Sequence, residues 1–221
     1  MWYYYWAEKN AMLAQLDRVT GYEPVGQGFE SLASHQNPGC NRIRDSLFIN
    51  RNLGVLIMIH IVLYEPEIPQ NTGNISRTCA VTGCHLHLIE PLGFELSERS
   101  IRRAGLDYWQ YLTVHTYPNW EDFKAKNDGE FYYCSTKGQK CHSDVKYPAE
   151  KDIYFVFGKE SHGLPEPLLK DNYDRCIRIP MRGFVRSLNL SNSVAVVVYE
   201  ALRQMDYPDL TDQGQLTGRP D

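Results

Sequence analysis

The sequence has few of the features that mark membrane, disulfide-rich or strongly basic proteins. Its longest apolar stretch, residues 55–63, contains His60 and is far shorter than the ~18 apolar residues that a membrane-spanning helix needs. The formal net charge of its 221 residues is -4, so nucleic-acid binding would depend on local basic clusters. The six cysteines include no C-x-x-C pair, which is poor spacing for zinc or for a disulfide framework. These absences favour a reduced, cytoplasmic protein with no membrane span and no metal.

Glycine-bearing loops are present, but none has the pattern of a common nucleotide-binding motif. Residues 136–138, 158–163 and 181–189 each follow a predicted strand. None matches G-x-G-x-x-G or a P-loop, so a dinucleotide or nucleoside-triphosphate site has no support. Gly138, Gly158 and Gly163 nevertheless let the backbone approach a ligand closely. Such loops at consecutive strand ends suggest a ligand site of another kind.

Strand and helix patterns alternate along the chain from residue 58. Apolar or alternating runs predict strands at residues 59–63, 85–89, 112–116, 131–135, 153–157 and 175–179. Helices are predicted from a cap at Asn71 or Thr72 to Gly83, and over residues 97–105, 120–126, a few residues after Pro165, and from 189–192 onward. This alternation predicts an α/β fold with a largely parallel sheet and helices on both sides. His85 and His87 are expected on the exposed face of their strand rather than on a metal.

The most informative stretch runs from residue 177 to residue 200. Ile177 and Ile179 flank an arginine in a short strand that Pro180 ends. A loop with arginines and Ser187 follows, and a helix begins where short polar side chains can cap its free N–H groups. Polar groups therefore converge where a strand ends and a helix begins, which is the usual place for a ligand in α/β folds.

Three segments match, in order, the motifs of a known enzyme superfamily. They are Asn71-Thr-Gly-Asn-Ile-Ser-Arg77, Phe157-Gly-Lys-Glu-Ser-His-Gly-Leu-Pro165 and the stretch that contains Ser187-Leu-Asn-Leu-Ser-Asn192. Together they resemble the three motifs of the SPOUT methyltransferases. The flanking residues 63–69 and 102–108 resemble the TrmL (YibK) group of small tRNA wobble-nucleotide 2′-O-methyltransferases. The likeness covers nearly all of residues 58–208, and Lys159 departs from it where many relatives have proline.

The resemblance implies a fold and an activity that periodicity alone does not specify. It implies a dimeric α/β domain with a C-terminal trefoil knot around S-adenosylmethionine. It also implies methylation of the ribose 2′-OH at tRNA position 34, a cytidine or modified uridine, in tRNA-Leu isoacceptors. Another RNA such as ribosomal RNA, and a non-catalytic RNA-binding relative, stay open as alternatives. A flavodoxin-like nucleotide-binding module rests on fold class alone.

The resemblance also assigns roles to individual positions. Those implied for the cofactor are Cys134, Gly158, Ile179, Ser187 and Leu188. Those implied for the acceptor ribose and catalysis are Asn71, Arg77, Glu160 and Asn189. Arg77 is proposed as the base in the family, but a guanidinium stays protonated. Orienting the hydroxyl and its neighbouring phosphate therefore suits Arg77 better.

Two groups of arginines are candidates for RNA binding. Arg99, Arg102 and Arg103 share a face of a predicted helix. Arg182 and Arg186 flank the cofactor loop. Because no separate RNA-binding domain is evident, a homodimer is expected to supply the groove for tRNA.

The two ends of the chain differ from this domain. Residues 1–57 combine an aromatic start with scattered polar residues, and they are expected to be poorly ordered. Leu53-Gly54-Val55 can be encoded by bases containing AGGAG before the Met58 codon, so Met58 is hypothesised as the natural start. Residues 209–221 are predicted to be a frayed polar tail.

Overall fold

The computed structural model describes residues 48–49, 56–95, 112–148, 150–211 and 213–214. The predicted helix over residues 97–105, with Arg99, Arg102 and Arg103, lies outside the described residues. Most of residues 1–57 and part of the tail after residue 208 lie outside them as well. Those predictions stay predictions.

Parallel strands form the main sheet. The strands are β1 (Phe48–Ile49), β2 (Leu56–Ile57), β3 (Ile59–Tyr64), β4 (His85–Ile89), β5 (Val114–Tyr117), β6 (Glu130–Cys134), β7 (Lys140–Cys141), β8 (Ile153–Phe157) and β9 (Cys176–Arg178). The 7-stranded sheet has the order β5-β4-β3-β8-β6-β9-β7, and every paired neighbour in it is parallel. Strands β1 and β2 pair antiparallel as a separate 2-stranded sheet. The prediction of a largely parallel α/β sheet is confirmed.

Helices cover both faces of the 7-stranded sheet. They are α1 (Pro69–Thr82), α2 (Trp120–Lys126), α3 (Glu166–Asp171) and α4 (Leu190–Gln204), with a 3₁₀ turn at Tyr173–Arg175. Ile75 of α1 and Val194 of α4 join a core on one face. Phe123 of α2 and Leu169 of α3 join the core on the other. With both faces covered, the central strands are almost continuously buried, as parallel strands usually are.

Helix α1 begins earlier than the sequence pattern predicts. The N-cap is Ile68 and Pro69 is the first helical residue, so the prediction that Asn71 or Thr72 caps this helix is wrong. Proline is favoured at this position because its missing N–H would have no helical partner and its φ is already helical. The predicted end is confirmed, since Gly83 closes the helix with φ 73°.

Buried histidines lie on the face of the sheet that α2 covers. His87 is 2% exposed, so the prediction that His85 and His87 form an exposed face is wrong for His87. His60 Nδ1 lies 2.8 Å from His87 Nε2, and His87 Nδ1 lies 3.0 Å from the hydroxyl of Tyr117. The alternation of histidine and leucine correctly predicts that they lie on opposite faces of the strand. Helices cover both faces of a parallel sheet, however, so both sets of side chains can be buried.

These histidines are neutral in the folded protein. Burial, reinforced by His85, lowers the pKa of His60 to about 4. Burial, reinforced by His60, lowers the pKa of His87 to about 2. Asp152 Oδ2 lies 3.6 Å from His60 Nε2, and its attraction offsets only part of this shift. In the unfolded chain the same rings take up protons below pH ~6.5.

We expect the free energy of unfolding to fall as the pH drops from about 6.5 towards 4. The unfolded state binds more protons in that window, and each histidine costs up to about 1.4 kcal/mol per pH unit. His87→Phe is expected to reduce this slope, measured by urea unfolding at several pH values. His162→Gln changes an exposed histidine and is the matched control. Equal slopes for His87→Phe and the wild-type protein would contradict the expectation.

No described helix is long and apolar enough to cross a membrane. In the same part of the chain, no group of three or more His, Cys, Asp or Glu side chains is arranged to hold a metal ion.

Candidate active site

A cavity of about 700 Å³ lies beyond the carboxyl ends of β6, β8 and β9. The sequence-predicted residues that line it are Asn71, Cys134, Gly158, Glu160, Ile179, Arg186, Ser187, Leu188 and Asn189. They come from loops far apart in the chain, because parallel strands bring their carboxyl ends to one edge of the sheet. Every residue predicted to bind the cofactor therefore meets at one site.

Gly158 lets two backbone segments touch on one side of this cavity. A Cβ atom at residue 158 would lie 2.0 Å from the carbonyl carbon of Gly163 and 2.1 Å from the backbone nitrogen of Leu164. No side chain fits there unless the backbone moves. Gly163 itself has φ 72°, a left-handed conformation that glycine adopts at little cost. The close contact therefore requires Gly158, and the left-handed backbone conformation favours glycine at residue 163.

A chain of hydrogen bonds links Glu160, Asn71 and Asn189. The amide of Asn71 donates to Glu160 Oε1 at 2.9 Å, and its own Oδ1 accepts from Asn189 Nδ2 at 3.0 Å. The Glu160 carboxylate also accepts from the backbone N–H groups of Glu67 at 2.9 Å and Ile68 at 3.2 Å. Asn71 is 6% exposed, so these partners hold its amide in one orientation.

Asn189 connects this series of hydrogen bonds to helix α4. It is the N-cap of that helix, and its Oδ1 accepts from the backbone N–H of Ser191 at 2.9 Å and of Asn192 at 3.3 Å. The hydroxyl of Ser191 donates to the same oxygen at 2.7 Å. The predicted capped start of this helix is confirmed. One side chain thus fixes a helix end and a line of polar groups in the cavity wall.

The loop at residues 65–68 is also tied to the loop at residues 159–161. Glu67 accepts from the N–H of Ser161 at 3.0 Å and from its hydroxyl at 2.7 Å, and these bonds lower the pKa of Glu67. Lys159 Nζ donates to Glu65 Oε2 at 2.7 Å. Glu160 in turn binds the backbone of the first loop, so the two loops hold each other in place.

Cys134 lies at the end of β6 in the cavity wall. Burial raises the pKa of its thiol well above the ordinary value, with a smaller contribution from Cys176. The thiol is therefore protonated and is a packing and weak hydrogen-bonding group rather than a nucleophile. The next residues, Ser135 to Lys137, continue the wall.

Some predicted residues lie elsewhere. Arg77 is exposed on α1 and is not among the residues that line the cavity. Arg182 is exposed in the loop after β9 and also lies outside the lining. Their predicted roles in catalysis and RNA binding are not tested by this geometry.

Sequence reasoning missed other members of the site. Arg178 and Lys137 line the cavity, although neither was singled out. Ser161 lies inside the second motif segment and Glu67 lies in the flanking residues 63–69, and those positions were the available signal. No sequence signal indicated the hydrogen bonds between Glu67 and Ser161, because these bonds depend on which strands are neighbours in the sheet.

Comparison with known proteins places this chain in a family. A model described as the SpoU rRNA Methylase family matches residues 58–199. The tRNA (cytidine(34)-2′-O)-methyltransferase of Saccharophagus degradans is 53% identical over 152 residues, which are 68% of this chain and 97% of the relative.

Solved structures give the same result. One from work on the 2-OH methylation of C/U34 on tRNA is 42% identical, with a TM-score of 0.63, and covers 68% of this chain and 97% of its own. The AdoMet-bound rRNA methyltransferase of Sinorhizobium meliloti shares the fold at 24% identity, with a TM-score of 0.58, covering 66% of this chain and 56% of its own. The fold, the order of the motifs and these matches together show that the chain belongs to the SpoU methylase family.

Proposed function

We propose that the protein transfers a methyl group from S-adenosylmethionine to the ribose 2′-OH of the wobble nucleotide of tRNA. The substrate nucleotide is position 34, a cytidine or modified uridine, of tRNA-Leu isoacceptors in the cytoplasm. Support comes from relatives named for 2′-O-methylation at cytidine 34 and from a solved relative of the same specificity. The catalytic unit is residues 58–208, which contain the family match.

The observation that carries the proposal is the cavity with its line of ordered polar groups. Its size suits a small-molecule cofactor. The close approach at Gly158 leaves no room for a side chain in this part of the wall. Cys134, Ile179, Ser187 and Leu188 complete a mixed apolar and polar lining. The apolar and polar side chains of this lining fit the adenine and ribose of S-adenosylmethionine.

The cofactor supplies an already activated methyl group. The protein must hold the acceptor hydroxyl in line with that group and assist loss of its proton. Asn71 and Asn189 present amides whose orientation Glu160 fixes, and these amides position the acceptor ribose. The guanidinium of Arg77 orients the hydroxyl and its neighbouring phosphate and stays protonated throughout.

Arg77→Lys is expected to lose most of the methyl-transfer activity although it keeps the positive charge. A lysine has no planar fork that can bind a phosphate through two N–H groups. The measurement is kcat for labelled methyl transfer to tRNA, with binding of S-adenosylhomocysteine as the folding control. Turnover near that of the wild-type protein would remove the need for a guanidinium.

We propose that the protein acts as a homodimer. Val81 on α1 and Val196 and Tyr199 on α4 are exposed apolar side chains on helices that pack together. A contiguous group of exposed apolar side chains, unlike a single one, marks an interaction surface. Arg182 and Arg186, with Arg99, Arg102 and Arg103, are the proposed phosphate contacts to tRNA. Sedimentation equilibrium tests the dimer, and a monomer at micromolar concentration would contradict it.

Transfer of label from S-adenosylmethionine to separate pools of unmodified tRNA and ribosomal RNA tests the substrate class. Label in tRNA alone is expected, at the same rate for the full chain and for a protein that begins at Met58. Label in ribosomal RNA alone would mean that the substrate is ribosomal RNA and not tRNA, while the proposed methyl-transfer activity would stand. Binding of S-adenosylhomocysteine without transfer to either pool would favour a non-catalytic RNA-binding relative.

A further inference from the structure

The loop after β9 exposes a large aromatic side chain beside the cavity. Phe184 is 80% exposed, more than any other large hydrophobic residue in the described part of the chain. Single exposed apolar residues are ordinary on protein surfaces. Phe184 is not isolated, because Val185 at 45% and Leu188 at 39% are exposed in the same loop. Three exposed apolar side chains therefore lie within five residues of one loop.

A tight turn presents this phenylalanine. The backbone N–H of Val185 donates to the carbonyl of Arg182 at 3.1 Å, which closes a four-residue turn with Phe184 in its third position. The residues on either side of the turn, Met181 and Arg186, line the cavity, whereas Phe184 does not. Two residues span at most ~7 Å, so Phe184 stands at the rim of the cavity rather than inside it.

The charged residues of the loop that carries Phe184 have one sign. Arg182 precedes the turn tip and Arg186 follows it, and residues 181–189 contain no aspartate or glutamate. Both arginines are exposed. An aromatic ring between two exposed cations offers a stacking surface for a base and two contacts for phosphates. Single-stranded nucleic acid is bound by this combination, because every base has a flat face and every linkage has a charge.

We infer that Phe184 stacks on a base of the tRNA anticodon loop, at or next to the methylated nucleotide, while Arg182 and Arg186 bind the adjoining phosphates. This inference rests on the proposed function and adds a positioning residue to it. The cavity at this rim is also lined by Asn71 and Asn189, which are proposed to position the acceptor ribose. Phe184 thus contributes to the placement of the 2′-OH without touching the reacting atoms.

The test compares Phe184→Ala, Phe184→Leu and Phe184→Trp in the full chain. The Kd for unmodified tRNA is measured by filter binding, alongside methyl transfer, S-adenosylhomocysteine affinity and sedimentation. Phe184→Ala is expected to weaken tRNA binding by about fivefold to a hundredfold. Phe184→Leu is expected to bind tRNA nearly as weakly as Phe184→Ala does. Phe184→Trp is expected to retain tRNA binding because it retains a flat ring on which a base can stack. Affinity for S-adenosylhomocysteine stays unchanged.

Salt dependence separates stacking from charge. Arg182→Ala is expected to reduce the slope of log Kd against log salt concentration by about one, as the loss of one phosphate contact does. Phe184→Ala is expected to leave that slope unchanged, since a phenyl ring releases no counterions. If Phe184→Trp loses as much tRNA affinity as Phe184→Ala does, or if Phe184→Ala causes a dimer to dissociate, the ring makes a protein contact and the inference is wrong.

The activity of the wild-type protein distinguishes a failure of this inference from a failure of the proposed function. If it transfers no label to tRNA, the proposed function fails for every variant alike. If it labels tRNA and Phe184→Ala binds and methylates tRNA as well as the wild-type protein does, the proposed function stands and the stacking role is wrong.

Discussion

Gly158→Ala is expected to abolish cofactor binding and to lower methyl transfer at least about a hundredfold. The added Cβ would lie 2.0 Å from the carbonyl carbon of Gly163, so the loop over residues 163–164 must shift. A displacement of about 1 Å at a reacting centre is enough to cost a hundredfold in rate. The same strain is expected to lower the free energy of unfolding by about 3 kcal/mol. Titration calorimetry with S-adenosylhomocysteine and urea unfolding measure the two effects.

Two other glycines provide matched controls for Gly158→Ala. Gly183 lies in the loop after β9, and a Cβ there meets nothing within 4 Å, so Gly183→Ala is expected to leave stability unchanged. Gly163 also has open space, but its φ of 72° strains an alanine by about 1 kcal/mol. The expected order of damage is therefore Gly158, Gly163, Gly183. Cofactor binding by Gly158→Ala at wild-type affinity would show that the close contact is not needed.

Asn71→Asp is expected to lower kcat for tRNA methylation about a hundredfold at pH 7.5. The substitution replaces the amide that donates to Glu160 with a second carboxylate at 2.9 Å. Two carboxylates this close repel, and the pKa of one of them rises. As the pH falls towards 5, a proton restores the missing hydrogen bond. The ratio of the variant's activity to that of the wild-type protein should therefore increase at lower pH.

Asn71→Leu and a double variant separate the causes of that loss. Leucine has a similar shape but no titratable group, so its activity ratio should not change with pH. In the combination of Asn71→Asp with Glu160→Gln, the glutamine amide can donate to the new carboxylate, and about tenfold of the lost activity should return. No recovery in the double variant, together with a flat pH ratio for Asn71→Asp, would mean that the polarity of this pair is unimportant.

The fold was largely predictable because its strands carry strong local signals. The apolar run at residues 153–157 matches β8 at both ends, and the run at 59–63 matches β3 to within a residue. Gly83 and Asn189 end and begin helices as their backbone preferences predict. Each of these features depends on a few neighbouring residues, which the sequence displays directly.

Features that depend on tertiary neighbours were predicted less well. Asn71 has the chemistry of a helix cap, but Pro69 already begins the helix and the Asn71 amide binds Glu160, 89 residues away. His87 alternates with core leucines as an exposed residue would, yet helix α2 buries its face. In both cases the outcome depends on which elements pack together, and local periodicity does not specify that packing.

The candidate site divides in the same way. The loops after β6, β8 and β9 were predictable as a common site, because parallel strands bring their carboxyl ends together. The individual positions came from resemblance to a family. The mutual binding of the loops through Glu67 and Ser161 depends on β3 lying beside β8, which neither source specifies. The C-terminal knot also stays a prediction from resemblance.

The most direct test of the proposed function is to locate the methyl group in tRNA that the wild-type protein has labelled. The tRNA is digested with a nuclease that needs a free 2′-OH, and the resistant dinucleotides are identified by mass spectrometry. The expected result is one labelled dinucleotide that carries the methyl group on the ribose of position 34. Label on a base, or on a ribose outside the anticodon loop, would contradict the proposal that this cavity serves wobble-ribose methylation.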